Sequence, residues 1–290
     1  MSERRLHQGS GLPMISGGGE WRILGALPSP KLTALPYFAE RYAAKPRSEW
    51  VDCSLKQWTP AVLDQGTHGS CVGQAWVTGF RYIWKISGQP DHDFSPTFVY
   101  GHINGNRDAG AQVVDGGVSL KTNGTCLITQ VGQNTVFKHQ FPAEAFKTAK
   151  RFRLLETFRV SSFDELCSAV LMGFPVISGI AVGTNFGSLS SEGVCPLPNQ
   201  VAGGHALCHI GLKRVRGGWS VETQNSWGRG WGLGGYCYLQ EGAWNPRYGF
   251  PMDAWAVTGV LDDPEESTTD TPTVLQSGEK HEERSETADV

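Results

Sequence analysis

Gln65-Gly66-Thr67-His68-Gly69-Ser70-Cys71 is a polar, glycine-containing turn, and the residues that follow it change period. From Cys71 the apolar or small positions run Val72, Ala75, Trp76, Gly79, Phe80 and Ile83, which is one face of a helix. Cys71 therefore falls at the first position of a predicted helix. Unpaired backbone N–H groups and the aligned peptide dipoles at a helix start favour a thiolate. A cysteine there is also read as a small apolar core residue, so chemistry needs further groups.

Two such groups lie far along the chain. His205 sits in Gly203-Gly204-His205-Ala206-Leu207, where a strand pattern begins. Asn225 lies in Thr223-Gln224-Asn225-Ser226-Trp227-Gly228, and its side-chain oxygen can accept an imidazole N–H. A hairpin centred on position 215, in the polar stretch Lys213 to Gly218, would set residues 205 and 225 opposite each other, and a bulge would shift this by a residue.

The composition narrows the classes. The 290 residues are 39% hydrophobic and 18% charged, enough apolar content for a core of one large two-lobed domain or two smaller ones. The formal net charge of −3 gives no basic signature for nucleic acid, and no apolar run approaches the roughly 18 residues of a membrane helix. The charge is uneven. Residues 262–290 carry ten acidic residues against Lys280 and Arg284 and no aromatic residue, so this tail is expected to be disordered. Residues 1–50, with Gly17-Gly18-Gly19, Pro28, Pro30 and Pro36, read as an irregular leader. No secretory apolar stretch is visible near the start, and a cytoplasmic location is the expectation. The seven cysteines, at 53, 71, 126, 167, 195, 208 and 237, contain no CxxC pair, so no metal site and no cofactor are expected.

The rest divides in two. Residues 51–154 carry the predicted helix and read as a helical lobe. Residues 155–261 read as a strand-rich lobe, with a capping box at Ser162-Phe163-Asp164-Glu165 opening a helix over 163–172. Strands are predicted over 176–182, 205–215, 219–223 and 235–239.

Taken together, the Gln65–Cys71 turn, Gly204-His205-Ala206 and the run Asn225-Ser226-Trp227-Gly228-Arg229-Gly230-Trp231-Gly232-Leu233-Gly234-Gly235-Tyr236 resemble the papain family of cysteine peptidases. The similarity covers residues 50–260, and the order and spacing of the motifs agree with the family's. The resemblance implies an α+β papain-like fold, a helical lobe plus a β-barrel-like sheet lobe, with the active site in the cleft between them. It implies Cys71 as nucleophile, His205 as base, Asn225 orienting His205, and Trp227 shielding that bond. It implies Gln65 as an oxyanion donor with the backbone N–H of Cys71. Gly116-Gly117 is matched to the family's substrate-pairing glycines, with Gly204 beside the histidine. The activity implied is hydrolysis of peptide or protein substrates through a thioester. Alternatives are another Cys-His-Asn acyl transferase, a deamidase, a cell-wall endopeptidase, or a silent binding module. The sequence departs from the family at His68, where a half-cystine is usual, at Tyr248-Gly249, where many secreted members have Cys-Gly, and at Val72, where Trp is usual. The leader is short for the family's helical propeptide, and autoinhibition by residues 1–50 is one expectation.

Overall fold

The computed structural model describes residues 3–30, 35–249, 252–261 and 273–274. The N-terminal segment departs from the irregular leader expected. Strands β1 (Arg4–Leu6), β2 (Pro13–Gly17) and β3 (Glu20–Ile23) form a three-stranded antiparallel sheet. The glycines read as breakers instead build a hairpin. Gly17 pairs with Glu20, and Gly18 and Gly19 between them take φ of 65° and 84°, the left-handed values a two-residue hairpin turn requires. The chain continues through β4 (Ala26–Leu27) and a one-turn α1 (Phe38–Arg41) to β5 (Cys53–Ser54).

Helix α2 (Cys71–Ile86) starts at the predicted residue, and every position from Cys71 to Trp84 is buried. A helix covered all round must lie between layers, and α2 is packed between the two helices that follow it and the main sheet. α3 (Pro96–Ile103) is capped by Ser95, whose Oγ accepts the Phe98 N–H at 3.1 Å, with Pro96 in the first turn. β6 (Ala111–Gln112) runs into α4 (Val113–Thr122), and α5 (Ala143–Ala149) closes this half. Phe80, Trp84, Phe94 and Phe152 pack edge to face beneath them.

Strands then dominate: β7 (Leu154–Val160), α6 (Phe163–Leu171), β8 (Val176–Gly183), β9 (Val201–Val215), β10 (Gly218–Gln224), β11 (Tyr236–Gln240), β12 (Asp253–Val260) and β13 (Thr273–Val274). At α6 the capping residue bonds as expected, Ser162 Oγ accepting from Glu165 N, but Glu165 reaches back to the N–H of Ser161 rather than Ser162. The sheet has eight strands in the order β11-β10-β9-β8-β12-β13, with β5 added to β9 and β7 to β12. It stays open and does not close into the barrel-like form expected. β5 and β9 are antiparallel, so the segment before α2 belongs to this sheet. The tail read as disordered lies outside the described residues apart from β13, which pairs with Gly259 and Val260.

Candidate active site

The architecture brings Cys71, His205 and Asn225 together. Cys71 opens α2, which packs on β9, and its sulfur meets the backbone N–H groups of Ala206, Gly25, Val72 and its own residue. Ala206 follows His205 in β9, so the thiol lies beside the imidazole's own strand. His205 Nε2 is 2.8 Å from Asn225 Oδ1. Its other ring nitrogen, Nδ1, is buried and has no hydrogen-bond partner among the described residues. An imidazole held at one nitrogen keeps a fixed orientation and leaves the second free to exchange a proton.

Asn225 reaches His205 diagonally. The hairpin turns at Arg216-Gly217, whose φ values of 52° and 77° suit a two-residue turn. Val215 pairs with Gly218, and a bulge between Glu222 and Thr223 shifts the register by a residue. The turn therefore lies just beyond the position expected, and Gln224 pairs with Cys208. Asn225 Oδ1 also accepts the Ser226 N–H at 2.7 Å, which holds the amide in place.

Trp227 is buried and lies against the imidazole, ring centroids 4.9 Å apart. Phe186, which no motif or spacing singles out, packs edge-on to both His205 and Trp227. Gln65 Oε1 accepts from Ser226 Oγ at 2.9 Å and Trp227 Nε1 at 3.2 Å, so its Nε2 is oriented as a donor. That Nε2 donates to the carbonyls of His68, at 2.9 Å, and Ile23, at 3.0 Å.

The last bond places the N-terminal segment in the cleft. Ile23 meets Gln65, Gly25 meets the Cys71 sulfur, and Ala111 N donates to Gly25 O at 2.9 Å. β4 then pairs in parallel with β6. Further on, Ser29 N donates to Asp253 Oδ2 at 2.7 Å, and Val114 N donates to Ser29 Oγ. On the other side Arg22, 4% exposed, grips Asp64 with both guanidinium nitrogens and donates to the Trp227 carbonyl at 3.3 Å. Gly203 lies under Pro13 and Leu24, with the half-buried Gly204 beside it in β9.

The cover sets the electrostatics. Cys71 and His205 are both 0% exposed. Burial pushes the thiol up to about 11, against the pull of its N–H neighbours. Burial pushes His205 down to about 4, against the support of Asn225. Both shifts favour neutral forms, so in the covered site the thiol and the imidazole are each neutral.

One pair of expected site residues is elsewhere. Gly116 and Gly117 lie inside α4, where Cβ atoms would run into the Trp76 ring, 2.8 Å from its Cγ for Gly116 and 2.5 Å from its Cη2 for Gly117. They are glycine so that α4 can press on α2, and among the described residues they pair with no extended chain. The pairing edge is β6, entered through Gly110 at φ 79°. A lone Gly-Ala-Gln before a helical run was the available sequence signal. His209, which showed no partner in the sequence, is buried between Ser178 Oγ at 2.6 Å and Thr223 Oγ1 at 2.9 Å. Among the described residues no cluster of His, Cys, Asp and Glu could hold a metal, and no helix is long and apolar enough to cross a membrane.

No family model matches the chain. Its architecture is that of solved papain-like cysteine proteases. Xylellain, a cysteine protease from Xylella fastidiosa, superimposes with a TM-score of 0.67 at 22% identity, covering 89% of this chain and 98% of its own. Procathepsin B from Trypanosoma congolense gives 0.65 at 13% identity, over 87% and 86% of the two chains. An uncharacterized peptidase C1-like protein of Acanthamoeba polyphaga mimivirus is 28% identical over 222 residues, 69% of this chain and 70% of the relative. The fold is papain-like, as the motifs implied.

Proposed function

We propose that this protein is a cysteine-type peptidase that cleaves peptide bonds through a thioester acyl-enzyme. One observation carries the reading. His205 is held by Asn225 through Nε2, with Nδ1 unpartnered, on the strand whose next residue touches the Cys71 sulfur. Once the imidazole takes the thiol proton, the sulfur attacks the scissile carbonyl carbon. The imidazolium then protonates the leaving amine, and water releases the acyl group as an acid. Gln65 Nε2 and the Cys71 N–H donate to the developing oxyanion, an interaction that contributes about 3–4 kcal/mol per well-placed donor. Trp227 and Phe186 keep water from the His205–Asn225 bond.

The N-terminal segment supports a latent form of this enzyme. Its Ile23 carbonyl takes the Gln65 donor, and its Gly25 N–H faces the Cys71 sulfur. It thus occupies the site that a substrate would need. The solved relatives include proenzymes such as procathepsin B. The test is a peptide-library digest under reducing conditions by the full chain, by a chain lacking residues 1–30, and by each with Cys71→Ala. Cleavage that increases on truncation and disappears with Cys71→Ala supports the proposal. Cleavage surviving in the Cys71→Ala protein refutes it.

A further inference from the structure

We propose that Asp108 is a positioning residue that ties the turn carrying the oxyanion donor to the opposite wall of the cleft, and so sets the width of the slot through which a peptide backbone passes. The inference rests on the peptidase reading above. Asp108 Oδ2 is 2.9 Å from His68 Nδ1, while its Oδ1 accepts the Gly69 N–H at 2.9 Å and the Tyr100 hydroxyl at 2.7 Å. The Tyr100 oxygen in turn accepts the Gly110 N–H at 3.1 Å. Gly69 and Gly110 are thus linked through one carboxylate and one phenol.

Those two glycines are the walls of the slot. Gly25 runs between them. A Cβ on Gly25 would lie 2.6 Å from the Gly69 carbonyl carbon and nearer still to its oxygen. A Cβ on Gly110 would lie 2.9 Å from the Gly25 carbonyl carbon, and nearer still to the oxygen. The gap therefore matches one extended backbone. The same turn places the oxyanion donor, because the His68 carbonyl accepts one of the Gln65 Nε2 hydrogens. His68 is the position where the sequence departs from the half-cystine usual in similar proteins, and here its side chain provides a cross-connection of another kind. The carboxylate is suited to the role. Burial works to raise its pKa, but the His68, Tyr100 and Gly69 donors outweigh burial and hold it below the usual carboxylate range. Charge-assisted bonds of this kind are directional and among the stronger ones.

The experiment uses the full chain carrying Gly25→Ala to open the cleft, and compares it with the same chain bearing Asp108→Asn, His68→Ala or His68→Asn. Asn at 68 can present a side-chain N–H where the imidazole Nδ1 stands. For Asp108→Asn and His68→Ala the expected result is a ten- to hundredfold loss of kcat, with KM changed less than threefold. Cys71 alkylation by iodoacetamide should stay within threefold, and His68→Asn should recover most of the rate. A parent chain in which iodoacetamide labels Cys71 at least fivefold faster than in the unsubstituted protein, yet which cleaves no peptide, refutes the peptidase reading, not this link. Amide hydrogen exchange tests the link independently of turnover. Asp108→Asn should speed exchange at both Gly69 and Gly110 at least tenfold. Exchange at Gly110 unchanged within twofold, or kcat unchanged in an active parent, overturns the proposal.

Discussion

Gly25→Ala is the sharpest perturbation of the covered site. The added methyl would collide with the Gly69 backbone, 2.6 Å from its carbonyl carbon and 2.8 Å from its Cα. Main chain cannot rotate away as a side chain can, so the strain falls on the docking of the N-terminal segment. Overpacking of this kind costs about 1–3 kcal/mol, which raises the open population roughly 5- to 150-fold. The readout is the sulfur itself. With its pKa near 11 in the covered state, Cys71 is about 10⁻⁴ thiolate at pH 7. An exposed cysteine near its ordinary value is about a few per cent thiolate, and pairing with His205 raises the fraction further. Iodoacetamide labelling at pH 7, assigned to Cys71 by peptide mass spectrometry, should therefore speed up at least fivefold in Gly25→Ala. Peptide cleavage should increase in parallel. If Cys71 stays protected within twofold of the parent while the melting temperature falls, the clash is absorbed in the body and the reasoning fails.

Two further outcomes follow. Gly116→Ala should destabilise the protein by up to about 2 kcal/mol in chemical denaturation, because the overlap with Trp76 costs about 1–3 kcal/mol and the roughly 1 kcal/mol an alanine adds to a helix interior offsets only part of it. A change in peptide affinity without a change in stability would restore Gly116 to the substrate site. Stability should also fall with acid. His205 folds with its pKa near 4 and His209 near 3, both pushed down by burial, whereas the unfolded chain protonates them near 6.5. The unfolded state therefore binds more protons below that pH. The stability contributed by these two residues is present above about pH 6.5 and is lost as pH falls towards 4 and then 3. A melting temperature that is flat from pH 7 to 4 would contradict this.

The catalytic constellation was legible because its signals are local. The Gln65–Cys71 turn announces a helix start, and α2 begins at Cys71. The strand patterns around His205 and the polar stretch after it announce a hairpin, and the bulge at Glu222/Thr223 alters the pairing only by a residue. The Gly116-Gly117 pair was misread for an equally physical reason. Glycine serves both an approaching backbone and an approaching helix, and only the position of Trp76 tells the two apart. Gly17-Gly18-Gly19 was likewise ambiguous between a break in the chain and a two-residue hairpin turn.

The sequence by itself determined the papain-like α+β fold and picked out Cys71, His205, Asn225 and Trp227 as the candidate site, because each rests on short-range pattern, spacing and order along the chain. Tertiary structure alone decided that the N-terminal segment threads the cleft, that β6 rather than Gly116-Gly117 is the pairing edge, and that Asp108 joins the two walls. Those features depend on which distant surfaces exclude water and bond together in three dimensions. Burial then sets the charge state of the site. Cys71 and His205 are neutral in the covered form because they lie beneath a segment whose nearest contact, Gly25, is 46 residues before the nucleophile, and no local pattern records that contact.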